Sequence, residues 1–254
     1  MSRLGQPPSA SITERVFRGF AIPGTGYDQS MIEGKEVPRV SPQVALTGRA
    51  RSPPGRRTFI LTCLASSALA PSVQAADEAA RASAFIREAG NELGGIARLA
   101  STPDACRAAL KPFLDRVVDL PGLARFCLGR FWAQADPDWR RRYQALFETV
   151  ILLNVQNRLN NYRDGGSHVV VGSATPAGDE FDVPTTVQPE SGGTPLHVTW
   201  RVSFASGTPR IADVSAEGVS LRVTLRSDYE SWLRQNSNNL DALLGAMQRM
   251  IGRS

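Results

Sequence analysis

From Leu196 to Phe204 apolar and polar residues alternate without a break. Leu196, Val198, Trp200, Val202 and Phe204 hold one set of positions; His197, Thr199, Arg201 and Ser203 hold the other. A two-residue period puts each set on its own face of a strand, so this segment predicts a strand with one buried face. Gly207-Thr208-Pro209 predicts a turn, and residues 210–216 a partner strand. Two earlier segments, residues 168–173 and 180–188, read the same way, with Gly, Pro, Asp and Ser at each junction. Pro184 inside the second of these predicts an edge or a bulge, because proline cannot donate to a ladder.

The remaining pattern is helical. Residues 76–99 carry Ile86, Ala89, Leu93 and Ile96 at helical spacing. Thr102-Pro103 predicts a helix start, with Thr102 as N-cap and Pro103 in the first turn. Asp119 predicts the cap of a short helix through Phe126, Cys127, Arg130 and Phe131. Asp136-Pro137-Asp138 opens a long helix to about Tyr162, with a broad apolar stripe that includes Trp139, Tyr143, Phe147 and Ile151. Glu217 to Leu221 leads into a helix with Tyr229, Trp232 and Leu233, and a last helix spans residues 239–251. Four helices, four antiparallel strands and two helices predict an α+β fold, a curved sheet with helices on one side.

Not all 254 residues belong to that domain. Arg56-Arg57 precedes an apolar run over residues 59–69, and Val73-Gln74-Ala75 offers small residues at a cleavage site. This predicts a signal peptide over 56–75 and a mature domain over 76–254. The apolar run is shorter than the ~20 residues that span a bilayer. Arg56-Arg57-Thr58-Phe59 also fits a twin-arginine signal; the Sec route is the simpler reading, since no cofactor signature demands export of a folded protein. Residues 1–55, rich in Pro, Gly, Ser and Arg, predict a disordered extension ahead of the true start.

Charge follows the same division. The net charge is +5, but residues 1–76 hold 9 basic and 4 acidic groups, and the rest holds 20 of each. The mature domain has no cationic excess to hold a polyanion, which excludes nucleic acid as a partner. Cys63 leaves with the signal; Cys106 and Cys127 remain, as a disulfide or as two buried free thiols. The mature chain has two histidines, His168 and His197, both in predicted strands. No zinc, nucleotide or nucleophile-elbow motif accompanies them. Asp213 and Glu217 are close enough in sequence for acid–base work, but their places at a strand end and a helix-capping turn favour structural roles. No catalytic residue, cofactor or metal is predicted.

Several stretches resemble the MlaC/toluene-tolerance family of periplasmic phospholipid-binding proteins. They are residues 124–132 (ARFCLGRFW), 158–162 (RLNNY), 198–201 (VTWR), 213–221 (DVSAEGVSL), Arg226-Ser227 and Leu233-Arg234. The resemblance implies an NTF2-like fold with an apolar cavity between sheet and helices, and no enzymatic activity. It implies a carrier of phospholipid between an outer-membrane lipoprotein complex and an inner-membrane ABC transporter. A branch of the family, HpnM, implies hopanoid as cargo instead. The expected lipid-binding residues are Phe126, Phe131, Trp132, Phe147, Ile151, Leu196, Val198, Trp200, Val202, Phe204, Val219, Tyr229 and Trp232. Cys127 stands where the family usually has alanine. Two other readings stay open: an enzyme on an apolar substrate, for which Asp213 is the residue to watch, and a structural adaptor with a filled core.

Overall fold

In the computed structural model the described residues are 73–99, 102–162, 167–190 and 192–252. The expected extension and most of the expected signal peptide lie outside them. Five helices come first: α1 (Val73–Leu99), α2 (Pro103–Val117), α3 (Leu120–Leu128), α4 (Phe131–Gln134) and α5 (Pro137–Tyr162). Six strands follow: β1 (Ser167–Val171), β2 (Thr175–Ala177), β3 (Glu180–Pro189), β4 (Leu196–Ser203), β5 (Arg210–Ala216) and β6 (Val219–Ser220). The order closes with α6 (Leu221–Gln235) and α7 (Leu240–Ile251). The expected cleavage point after Ala75 falls in the first turn of α1.

The helix starts are written in capping residues. Thr102 Oγ1 accepts from Ala105 N at 3.2 Å, and Asp119 Oδ1 accepts from Gly122 N at 3.0 Å. Asp136 Oδ1 accepts from Trp139 N at 2.8 Å, and Asn239 Oδ1 from Ala242 N at 3.0 Å. Each supplies an acceptor for an amide that the first helical turn leaves without one. The single helix predicted from Asp119 through Phe131 is two helices. Gly129 has φ 56 and ψ −128, a backbone that L-residues avoid, and it turns the chain between α3 and α4.

The sheet runs β1-β3-β4-β5-β6, all antiparallel, with β2 also paired to β3. Six strands replace the four predicted, because β2 and β6 are too short to show a period. β4 carries the predicted alternation. Phe181 lies opposite Val202, Val183 opposite Trp200, Thr185 opposite Val198 and Val187 opposite Leu196. On the other side Val198 faces Ala216, Trp200 faces Val214 and Val202 faces Ile211. Directly opposed residues share a face, so these positions make one apolar surface. A bulge at Arg201/Val202 puts Asp213 opposite Arg201, on the polar surface.

Pro184 sits in a central strand, yet its expected irregularity is present. Gly172 N donates to Pro184 O at 2.8 Å where β1 has ended and β2 has not begun. A strand residue aims its N and O to the same side, so the missing proline donor faces that interruption. A side chain on Gly172 would meet Pro184 Cγ at 3.0 Å, which explains the glycine.

The core joins both layers. Ala82, Ile86 and Ala89 of α1 pack into one cluster with Phe181, Val183 and Val202 of the sheet and with Leu110, Tyr143, Phe147, Leu225 and Leu233 of the helices. α1 is tied to the sheet by Ala174 N, which donates to Ser83 Oγ at 2.9 Å. It is tied to α2 by Arg116 Nη2, which donates to both oxygens of Glu92 at 2.5 and 2.6 Å. Gln156 Nε2 of α5 donates to Pro103 O at 2.8 Å, holding the start of α2. Val118 bridges Ile211 at the edge of β5, and Asp119 N donates to Ile211 O at 2.9 Å.

Candidate functional site

The apolar surface of the sheet changes character along its length. Val183 and Val202 are 0% exposed and Phe181 is buried, in edge-to-face contact with Phe204 at 5.8 Å between ring centres. Toward the other end Val187 and Leu196 are half-buried, and Val169, opposite Val187, is 49% exposed. One end is therefore dry core and the other opens to the surface. Between them Trp200 Nε1 donates to Thr185 Oγ1 at 3.0 Å, and Thr185 Oγ1 donates to Val198 O at 3.1 Å. This buried hydroxyl satisfies the indole and leaves the rest of the face free of polar demand. Thr185 was not anticipated; its place in a V-P-T-T-V stretch, in phase with Phe181 and Val183, was the available signal.

The thirteen expected lining residues fall into three groups. Leu196, Val198, Trp200, Val202 and Phe204 share the sheet face, and Val219 extends it, opposite Ala216 at the β5–β6 hairpin. Phe147, Ile151, Tyr229 and Trp232 are buried between helices. Tyr143 stacks on Trp139 at 5.3 Å, and Phe147 and Tyr229 meet edge to face at 6.4 Å. Burial pushes the Tyr143 and Tyr229 hydroxyls well above the usual phenol range, so both stay neutral. Tyr143 OH donates to Ala124 O at 3.1 Å.

The third group lies under guanidinium groups. Arg222 and Arg226 stand 5.0 and 5.3 Å from the Phe126 ring centre. Arg130 stands 5.0 Å from Phe131, and Arg140 stands 5.2 Å from Trp132 while its Nε donates to Trp132 O at 2.9 Å. The two contacts on Phe126 join residues about a hundred positions apart, so no local pattern announces them; those on Phe131 and Trp132 come from near neighbours in the chain.

The polar face of the sheet is a charge network. Arg201 makes a fork-on-fork pair with Asp182, Nε to Oδ1 at 2.8 Å and Nη2 to Oδ2 at 2.9 Å. Glu180 lies 3.7 Å from Arg201 and 3.5 Å from Arg222. Asp182 and its acidic neighbours hold the Arg201 guanidinium above its ordinary value. Asp213 accepts from Val214 N at 2.8 Å, from Arg222 N at 3.0 Å and from Ser220 Oγ at 2.5 Å, and pairs with Arg222 Nε at 3.6 Å. Its lone pairs are committed to holding the hairpin and the α6 N-terminus, not to a reactant. Glu217, at φ 49, is part of the tight turn. Its Oε1 accepts from His197 N at 2.8 Å, and its own N donates to His197 O at 2.9 Å. His168 and His197 are exposed.

Cys106 and Cys127 are free, buried thiols, which decides between the two sequence alternatives. Burial and the nearby Asp213 carboxylate push the Cys127 thiol far up, away from nucleophilic chemistry. Among the described residues no group of acidic, cysteine and histidine side chains could hold a metal ion, and no helix is long and apolar enough to cross a membrane. Two surface recesses complete the picture. One of about 630 Å³ lies between α5 and α7, lined by Arg142, Leu146, Asp241 and Leu244; another of about 450 Å³ lies between α1 and α2, lined by Gly95, Ile96, Leu99 and Ala105.

This architecture is similar to that of a solved phospholipid-binding protein from Ralstonia solanacearum, determined in complex with a phospholipid. The two chains are 20% identical, with a TM-score of 0.56 over 68% of this chain and 97% of that one. At that identity the likeness carries the fold. Sequence carries the family: the model of the family described as MlaC protein matches residues 95–249. That span, more than half of the chain, takes in the Gly129 turn, the whole sheet and the Asp213 hairpin, and so the chain belongs to the MlaC family.

Proposed function

We propose that the protein is a lipid carrier that holds the acyl chains of a phospholipid against the apolar face of its sheet. The observation that carries the reading is the gradient along that face, from Val183 and Val202 at 0% exposure to Val169 at 49%. A surface that is dry at one end and open at the other suits a molecule with an apolar tail and a wet head. Each methylene removed from water gains ~0.8 kcal/mol, so a few carbons of chain already outweigh the ordering of the side chains around them. The buried Asp213, Tyr143, Tyr229 and Cys127 are hydrogen-bonded or held neutral, which fits binding better than turnover. Family membership and the phospholipid bound by the Ralstonia protein support the same cargo class. In this reading the protein works in the periplasm, after removal of residues 56–75, and passes lipid between an outer-membrane lipoprotein complex and an inner-membrane ABC transporter.

Native mass spectrometry of the exported protein, purified without detergent, tests the cargo. A mass increment that fragments to glycerophospholipid is the expected result. A hopanoid increment moves the protein to the hopanoid-associated branch. A bare protein mass, with no lipid in an organic extract, overturns the carrier reading and favours a structural adaptor.

A further inference from the structure

Arg226 differs from the other exposed arginines in how it is held. Its guanidinium lies 5.3 Å from the Phe126 ring centre, and its Nε, Cζ and Nη2 lie 3.1 to 3.3 Å from where a Cβ on Gly129 would stand. The glycine that turns the chain between α3 and α4 also makes room for this cation. On the same ring, one helical turn earlier, Arg222 is neutralised by Asp213 and Glu180. Arg226 makes no ion pair among the described residues. Two like charges one turn apart on a helix repel, and here only one of them has been given partners. What remains is an exposed guanidinium, positioned between the Phe126 ring and Gly129 and without a carboxylate partner among the described residues. Arg125, exposed on α3 one turn before Gly129, has no carboxylate partner among the described residues either. On α6 the residues in line with Arg226 are Val223, 56% exposed, then Ser227, Glu230 and exposed Arg234. Of these only Glu230 is acidic, and it faces Arg130 at 3.5 Å.

We propose that this α3–α6 surface, with Arg125 and Arg226 as its phosphate-seeking groups and Val223 as its apolar contact, docks the protein on the anionic headgroup layer of a membrane. The chemistry fits. A guanidinium fork matches a phosphodiester bidentately, and a basic side chain beside an exposed aliphatic one suits the boundary between headgroup and acyl region. The mature domain carries no net charge, so the attraction is confined to this face and stays weak enough for release. The proposal does not depend on the carrier reading, because a protein stripped of cargo has the same surface.

The test is sedimentation of the exported mature domain (residues 76–254), delipidated, with vesicles of phosphatidylcholine alone or with added phosphatidylglycerol. The variants are R125Q/R226Q, V223S and a charge-matched control, R87Q/R98Q, whose arginines are exposed on α1. Each arginine neutralised at the docking face costs about fivefold in partitioning to the anionic vesicles, so the pair costs about twenty-five-fold at low salt. V223S weakens binding further, and the control pair changes it much less. The urea midpoint of each variant shows that it is folded; should the double variant fail to fold, R226Q alone supplies the comparison at about fivefold. Equal losses from both arginine pairs, or none from R125Q/R226Q, overturn the proposal. So does a wild type indifferent to phosphatidylglycerol, which would assign the face to an acidic protein. Because no cargo is present, failure here leaves the mass-spectrometric test of the carrier reading untouched.

Discussion

The Ser220 hydroxyl donates to the Asp213 carboxylate at 2.5 Å across the β5–β6 hairpin. The same hydroxyl accepts from Val223 N at 3.2 Å and so caps α6. One contact ties a strand, a two-residue turn and the start of a helix. This is the physical content of the DVSAEGVSL stretch: Asp213 accepts, Glu217 and Gly218 turn with positive φ, and Ser220 caps.

Replacing Asp213 therefore costs stability. Asp213→Ala removes three hydrogen-bond acceptances and leaves the largely buried Arg222 with Glu180 alone. The expected loss is about 2–4 kcal/mol, read as a lower urea midpoint with an unchanged slope. Asp213→Asn, which keeps one acceptor oxygen, falls between. A midpoint unchanged in Asp213→Ala would show that the hairpin is held by other contacts.

Asp228 on α6 gives a pH signature. Burial raises its carboxyl to about 6, against about 3.9 in the unfolded chain. The folded state binds its proton more tightly, so this group favours folding at low pH. That contribution is full below about pH 4 and is lost as pH rises to about 6. Asp228→Asn removes the titration. The variant and the wild type should have similar urea midpoints at pH 4, and the variant should be the more stable at pH 8. Parallel pH profiles would refute the assignment.

Much of the fold is legible from local chemistry. Thr102, Asp119 and Asp136 mark helix starts because each supplies an acceptor at the position where the sequence reads it. β4 is legible because its period is unbroken for nine residues. The break at Gly129 is not, since a glycine in a helical pattern reads equally as a tolerated residue, and its φ is set by a chain that must turn under Arg226. β2 and β6, at three and two residues, are shorter than any periodicity can show. The candidate site divides the same way. Its sheet half follows from alternation, while the guanidinium covers on Phe126 depend on long-range packing.

Both thiols should be silent in the native protein. Cys106 and Cys127 are 2% and 1% exposed, and the raised Cys127 thiol is protonated at neutral pH. Titration of the mature domain (residues 76–254) with Ellman's reagent in guanidinium, without reductant, should count both cysteines. A count of zero would reveal a bridge between Cys106 and Cys127 and contradict the free thiols.

The open and closed ends of the sheet face should respond oppositely to one added ring. Val202 is 0% exposed, opposite Phe181 on β3 and Ile211 on β5. Val202→Trp has no free volume to enter, and overpacking typically costs 1–3 kcal/mol. Leu196, on the same face six residues away, is half-buried opposite Val187. There an indole can turn toward solvent or lie along the face. Leu196→Trp should leave the thermal midpoint of the delipidated protein within about a degree or two of wild type, since changes at such sites stay near ±0.5 kcal/mol. If acyl chains enter by that end, the ring occupies their path, and lipid recovered per protein after detergent-free purification falls. The two measurements separate packing from binding: Val202→Trp lowers stability in the absence of lipid, whereas Leu196→Trp lowers lipid content without lowering stability. Should Leu196→Trp retain the wild-type lipid load, the entry lies elsewhere, and the groove between α1 and α2 beside Ile96 and Leu99 becomes the next place to put the same ring.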